Sequence, residues 1–267
     1  MAPIDVPSWT QLDMDAVCAR IRAIAFDLDN TLARSRKPML PWMAERFSTL
    51  TTLLPVAVIT GGRYGLVISQ ILDVLDAHAD RSHLHLMPTS GTRYYRWDSD
   101  DWRCVYAHDL GADLRDAAVA SLTDHAKELG LWLEDTWGPR IEDRGSQITF
   151  SALGQQAPVE IRERWDPDGT KRDALVRAVA ADLPELQVRA GGTTSVDISL
   201  RGYDKAFAIR ELASSLDLPV DRIMFVGDRM SPGGNDYPAA EAGSLAVRVT
   251  GPEDTARLCD ELIARLS

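Results

Sequence analysis

Two aspartates stand two positions apart in the segment Asp27-Leu28-Asp29-Asn30-Thr31, directly after a short apolar run. A carboxylate at the end of a buried strand can accept a phosphoryl group covalently. A second carboxylate beside it can carry a proton to or from the leaving oxygen, and both offer oxygen ligands to a hard cation. A helix cap or a solvated turn would use the same residues, so this segment by itself leaves its role open.

Two further segments could hold the oxygens of a phosphate group. Thr60, Gly61 and Gly62 follow another apolar run, and a hydroxyl followed by glycines can bind a phosphate oxygen with help from backbone N–H groups. Lys205 is predicted in the first turn of a helix, where the helix dipole disfavours a cation and suggests another task for the lysine. Taken alone, Thr60-Gly61-Gly62 would also suit a common turn, and Lys205 would also suit a lysine on the protein surface.

A fourth segment adds carboxylate and amide oxygens. Asp228 follows an apolar run that ends at Gly227, and a glycine-rich loop then brings the chain to Asn235 and Asp236. Together with the two aspartates of the first segment, these oxygens could complete a site for Mg²⁺.

Each of these segments lies beside a predicted element of an α/β fold. Short apolar runs that favour strands occupy Ile21–Phe26, Leu54–Ile59, Ile223–Val226 and Leu245–Val249. Helices are predicted at Leu40–Leu53, Gly65–His78, Asp204–Leu216, Tyr237–Ala242 and Pro252–Leu266. This alternation predicts a doubly wound, Rossmann-like α/β sheet. Because ligands bind outside the carboxyl ends of the strands of such sheets, we expect the four segments to converge on one site.

The middle of the chain has a different pattern. Aromatic alternation and turn residues predict a hairpin within Met87–His108. Beyond it the pattern predicts helices at Leu110–Leu129 and Thr170–Asp182, and strands at Ile141–Ser151, Val159–Trp165 and Val196–Leu200. We therefore predict an α+β insert at residues 105–198, between core segments 1–104 and 199–267.

The composition disfavours several classes of protein. The chain has 267 residues and a formal net charge of −11, which argues against nucleic acid or an anionic membrane as a partner. Its three cysteines are far apart, so we expect neither a disulfide framework nor a zinc site, and a cytoplasmic location. We also expect no signal peptide and no membrane-spanning helix. An acidic protein that binds phosphates needs a metal ion or placed cations at its site.

In this order along the chain, the four segments resemble the motifs of the haloacid dehalogenase superfamily. The resemblance implies that Asp27 is a nucleophile and Asp29 a general acid and base. It also implies that Thr60 and Lys205 hold the phosphoryl oxygens. The Mg²⁺ ligands that it implies are Asp27, the backbone carbonyl of Asp29, and Asp228, with Asn235 or Asp236 in support.

Longer stretches resemble the eukaryotic-type phosphomannomutases, which carry an α+β cap between the second and third motifs (subclass IIB of the superfamily). The matching stretches are VGDRMSPGGNDYPAAEAG, GGTTSVDISLRGYDK and, more loosely, EDRGSQITFSALG and DLDNTLARSRKP. The resemblance implies a sugar-phosphate substrate and a homodimer that pairs through the cap. The substrate-binding positions that it implies in this sequence are Arg36, Arg144, Arg162, Ser195 and Asp197.

Two positions depart from that family pattern: Gln155 stands where the family has an arginine, and Asn30 stands where it usually has glycine. A mutase must grip a second phosphate at its cap, and Gln155 removes one cation from that grip. We therefore favour a sugar-phosphate phosphatase over a phosphohexomutase that interconverts hexose 1- and 6-phosphates. A non-catalytic binding protein is a third hypothesis, although Asp27, Asp29, Lys205 and Asp228 are all retained.

Overall fold

The computed structural model describes residues 3–267, which divide into two compact units. One unit runs to Ala107, resumes at Tyr203 and ends at Ser267, and the other spans His108–Gly202. The insert was predicted at residues 105–198, so both observed boundaries lie a few residues further along the chain.

The first part of the larger unit alternates helices and strands and ends in a hairpin. Its elements are α1 (Met14–Arg20), β1 (Ala23–Phe26), α2 (Pro41–Leu53), β2 (Val56–Ile59), α3 (Tyr64–Gln70), β3 (Leu84–Met87), β4 (Arg93–Asp98) and β5 (Asp101–Ala107). The strands β1, β2 and β3 are buried along their whole length, as expected for strands covered on both faces. The sequence patterns had not identified α1.

The smaller unit has an α+β architecture. Its elements are α4 (Ala112–Glu128), β6 (Ile141–Asp143), β7 (Gln147–Ser151), α5 (Val159–Trp165), α6 (Thr170–Asp182), β8 (Leu186–Ala190) and β9 (Ser195–Leu200). The strands form an antiparallel sheet in the order β6-β7-β9-β8. An apolar cluster joins α4 and α6 to one face of this sheet, and the alternate residues of β7 and β9 on the other face are mainly polar.

The chain then returns to the larger unit and completes its sheet. The returning elements are α7 (Lys205–Leu216), β10 (Ile223–Gly227), α8 (Tyr237–Glu241), β11 (Leu245–Arg248) and α9 (Pro252–Leu266). The seven strands have the order β11-β10-β1-β2-β3-β4-β5, parallel from β11 to β3 and antiparallel at β4 and β5. The predicted doubly wound α/β core is confirmed.

Two apolar clusters, one on each face of the large sheet, pack the helices against it. Ile24 and Phe26 of β1 belong to the cluster that includes α1, α2 and α9, whereas Ala23 and Ala25 belong to the cluster that includes α7 and α8. Successive side chains of a strand point to opposite faces, so even a four-residue strand packs against helices on both faces of the sheet.

Three sequence predictions about secondary structure were wrong. The strand predicted at Ile141–Ser151 is the antiparallel pair β6 and β7. Val159–Trp165 is the helix α5 and not a strand: its apolar alternation is short, and it has Glu160 in the first turn and Arg162 and Arg164 in the last, which suits the helix dipole. The helix predicted at Gly65–His78 ends at Gln70.

The segment beyond α3 is hydrogen-bonded to α2. The backbone N–H groups of Asp76 and Asp80 donate to the Ser48 and Thr51 hydroxyls of α2, at 3.1 and 2.9 Å. A short 3-10 helix at Leu72–Val74 follows α3, and these bonds hold the segment beyond it against α2. Among residues 3–267, no helix has the length and apolar character needed to cross a membrane.

Candidate active site

The predicted catalytic segments of the larger unit meet at one edge of its sheet. Asp27, Thr60 and Asp228 come directly after β1, β2 and β10, which are adjacent parallel strands. The backbone N–H of Asp27 still donates to Val226 of β10 at 2.9 Å. Because the strands are parallel and in register, three segments that are distant in sequence present their side chains together.

Lys205 is bound by two buried carboxylates. Its ammonium donates to Asp27 and to Asp236, and the three side chains are almost fully inaccessible to solvent. Lys205 is the first residue of α7, which Asp204 caps by accepting the N–H groups of Ala206 and Phe207. The two carboxylates offset the unfavourable placement of a cation at a helix N-terminus.

Gly227 allows Asp236 to reach this position. A Cβ added at Gly227 would lie 2.5 Å from Asp236 Oδ2, well inside contact distance. The same Oδ2 atom accepts the backbone N–H of Arg229 at 2.9 Å. Glycine before Asp228 is therefore required by the close return of the loop, which brings Asp236 back against the end of β10.

The site holds more negative than positive charge. Oxygens of Asp27, Asp228 and Asp236 lie within 4.8 Å of one another. Burial raises the pKa of Asp27 to about 8, aided by Asp236 and Asp228 and opposed by Lys205. Burial and Asp236 raise the pKa of Asp228 to about 6. Burial lowers the pKa of Lys205, but Asp236 and Asp27 outweigh it and raise the pKa overall. One ammonium cannot balance three carboxylates, and these hard oxygen donors fit a divalent cation.

We expect Mg²⁺ to raise the Tm of the protein more at about pH 8 than at about pH 5. The pKa values of Asp27 and Asp228 are raised from 3.8 in the folded protein, so folding favours their protonated forms. The metal-free protein therefore loses stability as the pH rises from 3.8 to about 8. A cation stabilises the folded state most where these protons are absent.

Thermal unfolding in EDTA and in MgCl₂ across this pH range measures the effect. Asp228→Asn is the companion variant and should weaken the response to Mg²⁺ because it removes one carboxylate. Equal Tm values with and without Mg²⁺ at about pH 8 would contradict a cation site built from these residues.

Asp29 lies apart from the carboxylate cluster. Its Oδ1 accepts the Arg36 backbone N–H at 2.7 Å and the Gln70 side-chain amide at 3.2 Å. The carboxylate is therefore not one of the clustered ligand groups, and the predicted metal role concerns only its backbone carbonyl. Asn30, which follows, has a φ of 63°. Asparagine tolerates this left-handed conformation better than most residues other than glycine, so the backbone accepts it at this position.

Thr60 lies in a turn that a second loop supports. Its hydroxyl accepts the Gly62 N–H at 3.0 Å, and its carbonyl accepts the Ser90 N–H at 2.8 Å. Thr89, Ser90 and Gly91 all have positive φ, at 48°, 57° and 84°. The sequence analysis missed this loop at the end of β3. A side chain at Gly91 would overlap Ala208 of α7, so the glycine lets α7 pack close to the sheet.

The predicted substrate-binding residues of the smaller unit are brought together only in part. Ser195 and Asp197 share the polar face of the sheet, where Asp197 accepts the Thr149 hydroxyl at 2.7 Å and Ser195 accepts the Gly192 N–H at 2.8 Å. Arg144 follows β6, and its guanidinium contacts Glu142 at 2.7 and 2.8 Å. Arg162 instead lies on α5.

Glu142 is a residue that the sequence analysis missed. The side chain of Arg144 is 6% exposed and that of Glu142 19%, so their ion pair is largely shielded from water. The Gln155 side chain lies nearby and donates to the Thr149 carbonyl at 3.5 Å. The sequence did hold a signal for this ion pair, because Glu142 stands two positions before Arg144 and alternate residues of a strand lie on the same face.

Comparison with known proteins decides the family. The family model described as "Eukaryotic phosphomannomutase" matches residues 45–265. The chain belongs to this family. The phosphomannomutase of Spinacia oleracea is 26% identical over 243 residues, covering 89% of this chain and 94% of that protein. Phosphomannomutase 1 of Homo sapiens is 25% identical, covering 89% of this chain and 90% of its own length.

Solved structures place the family member in the haloacid dehalogenase fold. Plasmodium falciparum IMP-nucleotidase aligns with a TM-score of 0.72 at 15% identity, over 95% of this chain and 71% of that one. The C-terminal domain of C. albicans trehalose-6-phosphate phosphatase aligns with a TM-score of 0.67 at 12% identity, over 97% and 98%. These likenesses concern the fold. The predictions of the superfamily and of an enzyme belonging to it are confirmed.

Proposed function

We propose that this phosphomannomutase-family protein is a Mg²⁺-dependent phosphatase of sugar phosphates that works through an aspartyl phosphate on Asp27. The observation that carries the proposal is the buried contact of Lys205 with Asp27 and Asp236 beside Asp228. This contact supports the proposal because a carboxylate able to act as a nucleophile lies next to a buried cation at the carboxyl end of a parallel sheet. A divalent cation bound by these carboxylates would neutralise charge on the phosphoryl oxygens.

The proposed reaction has two displacements at phosphorus. Asp27 attacks in line, the bond from phosphorus to the sugar oxygen breaks, and Asp29 gives its proton to that oxygen. Lys205 and Thr60 hold the phosphoryl oxygens. In the second step Asp29 takes a proton from water, whose oxygen attacks phosphorus and releases Asp27 and inorganic phosphate.

The charge around the predicted cap residues supports hydrolysis over mutase action. A mutase needs cations on its cap to retain a phosphate that is not reacting. Arg144 is paired with Glu142, Asp197 lies on the same polar sheet face as Ser195, and position 155 carries a neutral amide. Ser195, Asp197, Arg144 and Arg162 are proposed to contact the sugar, and Arg36 and Gly61 the phosphate side of the substrate.

Phosphohexomutase activity is the second candidate. The family match and the full-length similarity to phosphomannomutases favour it. In a mutase, a sugar hydroxyl rather than water attacks the phosphorus of the aspartyl phosphate, the phosphoryl group passes to that hydroxyl, and the Asp27 carboxylate is released. Cytoplasmic location and a homodimer formed through the smaller unit stay predictions.

One assay separates the two reactions. Mannose 1-phosphate or glucose 1-phosphate is incubated with Mg²⁺ and a trace of hexose 1,6-bisphosphate, and inorganic phosphate and hexose 6-phosphate are followed together. The proposal expects inorganic phosphate with little 6-phosphate. Accumulation of hexose 6-phosphate without inorganic phosphate would establish the mutase instead. If neither product forms, these hexose phosphates are excluded as substrates.

We expect Gln155→Arg to raise the ratio of hexose 6-phosphate to inorganic phosphate by about 10-fold. A guanidinium can pair two phosphate oxygens, whereas the amide is a neutral donor. The same two-product assay measures the ratio. Gln156→Arg, which adds the same charge at the exposed neighbouring position, should leave it unchanged. An equal rise in both variants would mean that charge acts there without a defined phosphate contact.

A further inference from the structure

Gln70 occupies a helix position that periodicity would give to an apolar side chain. Val67 and Gln70 are the buried residues of α3, and Gln70 is only 1% exposed. Within residues 3–267 the buried Oε1 atom of Gln70 has no hydrogen-bond partner. Burying an amide oxygen without a partner is unfavourable, so packing alone does not explain a glutamine at this position.

The amide nitrogen of Gln70 connects Asp29 to the loop that follows it. Nε2 donates to Asp29 Oδ1 at 3.2 Å and to the Lys37 carbonyl at 3.0 Å. The backbone carbonyl of Gln70 accepts the Met39 N–H at 2.9 Å. In the same loop, the Arg36 N–H donates to Asp29 Oδ1 at 2.7 Å. Gln70 therefore contacts Asp29 directly and also holds the loop that supplies its other donor.

We propose that Gln70 is a positioning residue that orients the Asp29 carboxyl group for proton transfer to the leaving oxygen. This inference rests on the proposed function. Both donors bind Oδ1, which leaves Oδ2 to carry the proton. As the new bond from phosphorus to Asp27 forms, the bond to the leaving oxygen breaks, its electron pair stays on that oxygen, and the proton of Asp29 moves there.

The test compares two phosphate esters that differ in their need for a proton. Phenyl phosphate has a poor leaving group, whereas 2,4-dinitrophenolate leaves without protonation. In Gln70→Met, which keeps the length of the side chain, we expect kcat/KM for phenyl phosphate to fall about 100-fold. The value for 2,4-dinitrophenyl phosphate should fall less than about 3-fold. Gln70→Leu, which also lacks a hydrogen-bond donor, should give the same split.

Val67→Ala is the matched control, because it loosens the same helix face without touching Asp29. It should leave the ratio of the two kcat/KM values unchanged. Equal losses on both esters in Gln70→Met, or no loss on either, would overturn the positioning role.

Crystal structures of the wild type and of Gln70→Met provide a readout that needs no turnover. We expect the Asp29 carboxylate to move by about 1 Å or more in the variant, and an unmoved carboxylate would overturn the inference. A wild type that hydrolyses neither ester would count against the proposed phosphatase, while the two structures would still decide the role of Gln70.

Discussion

Asp27→Asn is expected to lower turnover by at least about 10⁴-fold and to leave the fold intact. The amide has nearly the shape of the carboxylate but cannot attack phosphorus. It also removes one of three clustered negative charges. The pKa of Asp27 is raised to about 8, so the ionised carboxylate destabilises the metal-free protein. The free energy of unfolding in EDTA should therefore be unchanged or higher in the variant.

Steady-state kinetics with Mg²⁺ and urea unfolding in EDTA measure the two effects. Mass spectrometry of the acid-quenched wild type should detect a phosphorylated peptide that contains Asp27, and the variant should lack it. Asp73→Asn, at an exposed position of the same unit, is the control and should keep full activity. Substantial Mg²⁺-dependent turnover by Asp27→Asn would show that the nucleophile is another residue.

Lys205→Met is expected to lower the free energy of unfolding in EDTA by about 3–5 kcal/mol and to abolish turnover. Lys205 is 1% exposed and contacts both Asp27 and Asp236. Methionine has a similar length but leaves two buried carboxylates without their cation. Removing one partner of a buried ion pair is costly because the remaining charge stays desolvated.

A second substitution distinguishes charge imbalance from lost packing. Lys205→Met combined with Asp236→Asn should recover a large part of the stability, since it removes one of the unbalanced carboxylates, and should stay inactive. Lys127→Met, at an exposed lysine of the smaller unit, should change the stability by less than about 1 kcal/mol. A Lys205→Met protein as stable as the wild type in EDTA would show that the ammonium does not balance these carboxylates.

The core of the site could be predicted because each of its segments carries a local signal. Asp27, Thr60 and Asp228 each follow a short apolar run rich in strand-forming residues, and each run is a fully buried strand in the structure. The alternation of strands and helices then brings the carboxyl ends of parallel strands to one edge. No knowledge of side-chain contacts is needed for that step.

The sequence predictions failed where local periodicity is weak, where side-chain rotamers decide a contact, or where distant residues bind the backbone. The helix predicted to reach His78 ends at Gln70, and hydroxyls of α2 bind the backbone at Asp76 and Asp80 in the segment where helix was predicted. The segment at Val159–Trp165 has too few apolar residues to distinguish strand from helix by periodicity. The ion pair of Arg144 with Glu142 depends on rotamers that a sequence pattern does not specify.

The sequence by itself determined the α/β class, the α+β insert and which segments meet at the candidate site, since these follow from local apolar periodicity and from the residue types at strand ends. Only the tertiary structure decided how the charges are paired. Lys205 and Asp27 are 178 residues apart in the chain, and Gln70 is 41 residues from Asp29. Local periodicity carries no information about such pairs, because the packing of α7 and α3 against the sheet sets the distances between them.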